Sequence, residues 1–463
     1  MANGSPSAAA GPAPGRPRTS GVFSGLLLIV VGVLLLLHNY GYLSLARAFG
    51  HWWPLIFIFW GATKLYERTL AQRQGRTSGW ITPGEVFLVL GLLTVVGLVV
   101  AWDMGKKVIG DEIGVDLDWG TPYSFPMDLP SQAVPANAHV SIRGGRGNIS
   151  VRSSDEPMLR LSGEKEIRTL SEADAAKRAP SIGAGITQNG DTYEIRPTGF
   201  ETGDSRVAVN MDIVVPKKAA VSVRTERGDI TVSDMLTDVS ATTRKGDVEI
   251  NDTTGNVSVD TSSGDVKISD TKGDVKVAGR GGDIEAVNAT GSLLVDGEFH
   301  GSIRADKIAK GVRFISQHTD LTLTQLGGHF EKSSGNLEIT DAPGNLTSRT
   351  KNASVSLENV TGKIVLDNTN GSVEVRFSSP PKEDVTINNV RASLTLLLPA
   401  GSNFEIQADC RSCDINSEFS GGTLNQSKTE KGDSRLEGRY GAGHGPKIIL
   451  KTSYDSIEIR KTN

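Results

Sequence analysis

Four aspartates have the spacing to act together. Asp229, Asp247, Asp265 and Asp283 stand eighteen residues apart, each following a glycine and preceding Ile or Val. Asp238, Asn256 and Asp274 repeat the interval nine residues out of phase. If eighteen residues close one coil, the first four carboxylates form a column. Like charges a few ångströms apart repel, so such a column calls for calcium or for lysine neighbours. The calcium-binding nonapeptide repeat needs Gly-Gly-x-Gly-x-Asp, and only Gly281-Gly282-Asp283 comes near it. The competing reading is structural: Asp and Asn cap the free N–H groups of a corner and leave a carboxylate oxygen in water. That reading weighs more, and the four aspartates remain as the metal candidates.

Two other groups carry reactive atoms. Cys410-Arg411-Ser412-Cys413 is a C-x-x-C. Without a second pair or a nearby pair of histidines it makes a poor zinc site. Redox chemistry needs a thioredoxin-like helix start, and this stretch reads as strand and corner. A local disulfide or free thiols are therefore expected at Cys410 and Cys413. Of seven histidines (His38, His51, His139, His300, His318, His329, His444), His300 and His318 stand eighteen apart near Asp296, Glu298 and Asp320. That mixture would suit general acid–base work on a polysaccharide. Scattered surface polarity is the plainer reading. No G-x-S-x-G, H-E-x-x-H or P-loop pattern occurs. The expectation is a non-catalytic protein with no cofactor.

These residues sit on a periodic frame. Gly228-Asp229-Ile230, Gly246-Asp247-Val248, Gly264-Asp265-Val266 and Gly282-Asp283-Ile284 are interleaved with Asp238-Val239, Gly255-Asn256-Val257 and Gly273-Asp274-Val275. A second block runs through Gly335-Asn336-Leu337, Gly344-Asn345-Leu346, Gly362-Lys363-Ile364 and Gly371-Ser372-Val373. Each nine-residue unit reads Gly-polar-apolar-x-apolar and then a turn. Val248 and Ile250 point one way, and Glu249 between them faces water. One unit cannot bury its apolar pair alone, so coils must stack. The expected fold is all-β: a parallel β-solenoid of about eighteen-residue coils with two strands each, an antiparallel sandwich being the alternative. The count slips near Gly301 and Gly311, and 312–334 reads as a bulge or loop leaving the stack. Val214-Val215-Pro216 before Val221-Ser222-Val223 matches Leu397-Leu398-Pro399 before Phe404-Glu405-Ile406, which suggests worn copies at the ends.

Ahead of the repeat lie three apolar stretches, Gly21–Leu37, Trp52–Ala62 and Val86–Trp102. The first and third have about the ~17–20 residues that a bilayer crossing needs. Arg16 and Arg18 precede them, Lys64, Arg68, Arg73 and Arg76 separate the second from the third, and only Arg47 lies between the first and second. If all three cross, the excess of positive charge places the N-terminus in the cytoplasm and everything past Trp102 outside. All six tryptophans lie at or before residue 119, and five fall near the expected helix ends. The alternative, a cleaved signal peptide, lacks an A-x-A cleavage signal.

Composition closes off other classes. Lys+Arg 49 against Asp+Glu 53 gives a net charge of −4, which excludes a general nucleic-acid surface. Two cysteines in 463 residues exclude a disulfide scaffold. The expected layout is a disordered cytoplasmic tail over 1–20 and a membrane domain over 21–103 (helices about 21–38, 50–66 and 85–102). A linker follows over 104–138, then an N-terminal β flank with a short helix over 139–227. The repeat solenoid occupies 228–378 and a C-terminal β flank or cap 379–463.

The strings GDITV, GDVEI, GNVSV, GDVKI and GDVKV, with MDIVVPKKAAVSVRT before and LLLPAGSNFEIQAD after, resemble the bacterial "putative adhesin" β-strand-repeat family over about 139–463. LLLIVVGVLLLLHNYGYL and WWPLIFIFWGATKL resemble the membrane region of LiaF-type envelope-stress regulators. The first resemblance implies surface adhesion and no catalytic residues. The second implies a regulator acting with a membrane sensor kinase. The expected partners are thus the lipid bilayer, a cell-surface glycan or envelope protein, or a sensor kinase. The expected role is an adhesin-like binder or cell-envelope scaffold. A regulator and a glycan-active parallel β-helix enzyme are the alternatives.

Overall fold

The structure, a computed structural model, describes residues 120–200 and 204–462, together with Thr94. The three apolar stretches expected to cross a membrane lie outside the described residues. Among the described residues no helix is long and apolar enough to cross one.

Alternation of apolar and polar residues makes the strands. Val248-Glu249-Ile250 and Val257-Ser258-Val259 each bury their first and third side chains. Their neighbours lie in parallel at an offset of one coil. Val248 has Ile230 as its register partner on one side and Val266 on the other. Val257 pairs with Val239 and Val275 in a second sheet. The chain thus winds between two sheets, each rung ~4.8 Å from the next. Both sheets turn their Val, Ile and Leu into one continuous buried cluster. Each such side chain contributes about 1.5–3 kcal/mol when fully buried.

The regular part of the first sheet runs Ile230–Met235, Val248–Thr253, Val266–Thr271, Ile284–Ala289, Ile303–Ile308. In the second it runs Ala220–Arg227, Val239–Lys245, Val257–Thr261, Val275–Gly281, Leu293–Phe299, Val312–Ile315. Then one rung runs backwards. Thr319–Leu323 is antiparallel to both Val312–Ile315 and Leu346–Lys351. Leu326–Ser333 is antiparallel to both Ile303–Ile308 and Asn336–Thr340. The expectation that 312–334 leaves the stack is therefore corrected. Thr319, Leu321 and Leu323 keep the alternation and stay buried, so the segment packs as a rung whatever its direction. Beyond it the parallel order resumes through Ser354–Glu358, Val373–Arg376 and Leu394–Pro399 in the first sheet, and Ile364–Thr369 and Val385–Val390 in the second.

Both ends are closed by a strand pair that enters out of order. His139–Arg143 lies between Thr192–Thr198 and Ala220–Arg227, and Ile149–Ser154 lies between Val207–Pro216 and Ile230–Met235. At the other end Lys447–Ser453 lies between Val385–Val390 and Phe404–Arg411, and Ser456–Thr462 lies between Leu394–Pro399 and Asp414–Ser417. The two matching sequence flanks are the places where the chain steps over the inserted rung. Pro216 pairs with Ser154 and Pro399 with Thr462, the last residue of each inserted strand.

Part of the stretch read as a linker is strand. Thr121–Asp128 is antiparallel to Met158–Thr169, and Gln132–Ala133 pairs with the same strand. A short helix, Glu172–Arg178, follows the N-cap Ser171, whose hydroxyl accepts from the Asp174 N–H.

Candidate functional site

The partners of the polar columns decide what those columns can do. The Asp229 Oδ1 accepts the backbone N–H of Asp247 at 2.9 Å, and Asp247 accepts that of Asp265 at 2.8 Å. Asp265 accepts from Asp283 at 2.8 Å, and Asp283 from Ser302 at 2.6 Å. Upstream the ladder continues with amides: Asn148 accepts from Asp229 and Asn210 from Asn148. The second column works alike, Asp238 to Asn256, Asn256 to Asp274 and Asp274 to Ser292. One oxygen of each side chain therefore holds the next rung. The carboxyl of Asp274 is lowered from its ordinary value by the Ser292 N–H and hydroxyl, with Lys310 adding to this against a small effect of burial. Among the described residues, no group of three or more His, Cys, Asp or Glu side chains is arranged to hold a metal ion.

The glycines before Asp229, Asp247 and Asp265 are required. Gly246 has φ +139°, and a Cβ there would stand 2.2 Å from the Gly228 carbonyl oxygen. A third column has the same spacing but no glycine to mark it in the sequence. Asp234, Asp252, Asp270 and Asn288 have φ between 52° and 60° and place a left-handed residue next to last in four successive strands of the first sheet.

Downstream of the reversed rung the outer ladder continues, Asn345 accepting the Lys363 N–H at 2.9 Å, and the buried polar column of the second sheet, Thr225, Thr243 and Thr261, takes up asparagine. Thr350, Asn368 and Asn389 are register partners and are 1–2% exposed. Asn368 accepts from the Thr350 hydroxyl at 2.6 Å and donates to the Ala353 and Gly371 carbonyls. Asn389 accepts from Asn368 and donates to the Gly371, Ala392 and Ser393 carbonyls. Each asparagine thus ties its corner to the carbonyl three residues on. Cys410 occupies the equivalent place two rungs further, and it is bonded to Cys413, again three residues on. The disulfide is a covalent version of the asparagine tie.

The histidines are not gathered as an eighteen-residue interval suggests. Asp320 pairs with Arg313 at 2.7 Å, and Glu298 accepts the Gln317 N–H at 2.7 Å. His329 has the carboxylate partners instead. Its Nδ1 lies 2.7 Å from Asp306 and its Nε2 3.5 Å from Glu331, which Arg304 also reaches at 3.2 Å. That network exists because the reversed rung lays His329 beside Asp306, which no fixed period would predict. Lys332 of the same rung lies over the Phe314 ring, and burial lowers its ammonium against the pull of Glu298.

Two cavities open near the C-terminal end. One, of about 370 Å³, is lined by Glu405, Gln407, Thr423, Asn425, Glu437 and Lys447 among others. The other, of about 410 Å³, lies under the turn after Pro399. Phe404, Phe419 and Tyr440 form an aromatic trio there, Phe404 and Tyr440 stacked at 5.5 Å and Phe419 edge-on to both.

Two family models match the chain. A family model described as LiaI-LiaF-like transmembrane region matches residues 22–65. A second, Toastrack DUF4097, matches residues 138–460. No curated protein matches. Among solved structures, the chain is similar to a "putative cell adhesion protein" from Clostridium sporogenes, 8% identical, over 74% of this chain and 100% of that one, with a TM-score of 0.18. It is also similar to a "putative adhesin" from Parabacteroides distasonis, 10% identical, over 74% and 98%, with a TM-score of 0.23. A "putative lipid binding protein" from the same organism is 8% identical over 75% and 98%, with a TM-score of 0.16. With a family model matching from residue 138 to residue 460, across a two-sheet stack of parallel rungs, the chain belongs to the Toastrack DUF4097 family.

Proposed function

We propose that this is a membrane-anchored, extracytoplasmic and non-catalytic binding or scaffold protein of the bacterial cell envelope. The observation that carries this reading is where the polar side chains are used. The aspartates and asparagines of the repeat bind the backbone of the adjoining rung, so the domain offers long polar strand faces in place of a reactive centre. The LiaI-LiaF-like match at 22–65 supports the anchor. The charge distribution around the apolar stretches supports a cytoplasmic tail over 1–20, a membrane domain over 21–103 and an external β-domain. The partners are the bilayer and a surface glycan or envelope protein.

The same match favours a second reading, in which the protein regulates an envelope-stress sensing system through a membrane sensor kinase. One set of cells separates the readings. In spheroplasts carrying a tag after Asn463, external protease should remove the tag, and full protection would overturn the external placement. Cells lacking the gene should lose adhesion to envelope glycan while an envelope-stress reporter stays unchanged. A changed reporter with unchanged adhesion would favour the regulator.

A further inference from the structure

The corner column of the second sheet changes composition toward its C-terminal end. Asn352, Asn370, Arg391, Tyr454 and Ser412 succeed one another there, one per rung, with φ between 55° and 68°. The backbone repeats faithfully: Asn352 donates its N–H to Thr369, Asn370 to Val390, Arg391 to Ser453 and Tyr454 to Arg411, at 2.7–3.2 Å. The side chains do not repeat. The first two form an amide ladder, the Asn370 Nδ2 donating to the Asn352 Oδ1 at 3.0 Å. Asparagine suits a left-handed backbone because its short polar side chain bonds locally, and a bulky tyrosine has no such compensation. Yet Tyr454 is 69% exposed, so burial of its ring does not offset the strain. An exposed aromatic ring on an unfavourable backbone, where the fold elsewhere uses asparagine, points to a use outside the fold.

The neighbouring rungs supply charge. Arg391 stands one rung before Tyr454 and Arg411 one rung after, each step ~4.8 Å along the stack. Both arginines are exposed, and among the described residues no carboxylate pairs with either. Two carboxylates close by serve the turns themselves: Asp433 accepts the Ser412 N–H at 2.9 Å and Asp455 the Ser456 hydroxyl at 3.5 Å. All three corners are tied from beneath. Asn389 donates to the Ala392 and Ser393 carbonyls, the Thr452 hydroxyl reaches the Ala392 carbonyl at 2.7 Å, and the disulfide closes around Arg411 and Ser412. The backbone that carries the three side chains is thus fixed before anything binds. A tyrosine ring takes the C–H face of a sugar, and a guanidinium takes a carboxylate with paired donors.

We propose that Arg391, Tyr454 and Arg411 form a surface site for an acidic glycan, with a uronate ring on Tyr454 and carboxylates on the two arginines. The proposal rests on the binding role given above and narrows it to a ligand class. The test uses the full chain in nanodiscs of zwitterionic lipid, titrated calorimetrically with oligogalacturonate. Tyr454→Asn installs the residue that the fold uses at 352 and 370. It should weaken the glycan about fivefold or more while leaving the melting temperature unchanged or raised. Arg391→Asn and Arg411→Gln should each weaken it about tenfold or more. Neutral maltooligosaccharide should bind far more weakly than the acidic glycan. Polyglutamate, which has carboxylates but no sugar ring, should bind Tyr454→Asn as it binds the parent. The proposal is overturned if oligogalacturonate does not bind, if maltooligosaccharide matches it, or if Tyr454→Asn or both arginine variants bind it as the parent does. It is also overturned if Tyr454→Asn weakens polyglutamate as much as the glycan. Cells carrying Tyr454→Asn that adhere to envelope glycan as the parent cells do would keep the broader role and lose this site.

Discussion

The rungs before and after the reversed rung solve one problem with different chemistry. Each coil must turn two corners and keep register with its neighbours. Before the reversal, glycine makes the corner and an aspartate on the outside holds the next rung's N–H. After it, glycine corners and an outer bond such as that of Asn345 to the Lys363 N–H persist, and left-handed residues recur at Asn352 and Asn370 as at Asp252 and Asp270, but buried asparagines or a disulfide now also tie the corner from inside. The outer ladder works only in strict register, and the eighteen-residue interval there is nearly perfect. The inner asparagines bond the carbonyl three residues on and also the neighbouring rung, and they tolerate the longer step between Asn368 and Asn389. Periodicity is thus strict where a single side-chain oxygen holds the next rung's N–H and relaxed where an asparagine has several donors and acceptors with which to bridge rungs.

The largest effect should come from charging the shared core. Val257→Asp before the reversal and Leu366→Asp after it each bury an unpaired carboxylate, at a cost of more than about 4 kcal/mol. Hydrogen exchange on the two variants shows whether the halves unfold together. Loss of protection confined to the mutated half would mean that the reversed rung divides two cooperative units.

Next in size is Asn368→Ala. It removes the side-chain donor from the Ala353 carbonyl, one of two from the Gly371 carbonyl, and the acceptor of the Thr350 hydroxyl, costing about 2–4 kcal/mol. A loss below about 1 kcal/mol in chemical denaturation would undo the inner-tie account. Replacing both Cys410 and Cys413 with Ser opens a very small loop and should cost about 2 kcal/mol. Exchange should rise at the C-terminal rungs before it rises around Val257.

The smallest effect should be Asp247→Asn, within about 0.5 kcal/mol near neutral pH, because the amide oxygen can still accept the Asp265 N–H. Asn148 and Asn256 already do this. Acid distinguishes the halves more clearly. Asp274 is lowered by Ser292 and Lys310. Asp204 is raised by burial, but the Arg206 N–H and guanidinium and Arg178 outweigh this and lower it. A carboxyl lowered in the folded state stabilises fully above its unfolded value of about 3.9, and that contribution fades as pH falls through the folded value. Both groups precede the reversed rung, so exchange protection should fail there first as pH drops from about 4 to about 2. Equal loss in the two halves would contradict this.

The outward ladder is legible in the sequence because its residues share one spacing, and Gly-Asp at eighteen residues can mean little except a stacked corner. The column of Asp234, Asp252 and Asp270 carries the same interval more quietly, since no glycine marks it. The inserted strands at both ends are beyond reach of periodicity. Pairing Val140 with both Tyr193 and Val221 requires contacts that skip across the chain, and alternation alone cannot say which neighbour a strand chooses. The His329 network is hidden for the same reason. Phe404, Phe419 and Tyr440 are scattered in sequence and meet only when the cap closes.

The late-entering pair Lys447–Thr462 has a consequence for synthesis. Both rungs that flank it leave the ribosome earlier, yet they have no direct bond to each other in either sheet. Until residues 447–462 emerge, the nascent domain carries a two-strand vacancy with four raw backbone edges, open to pairing with another chain.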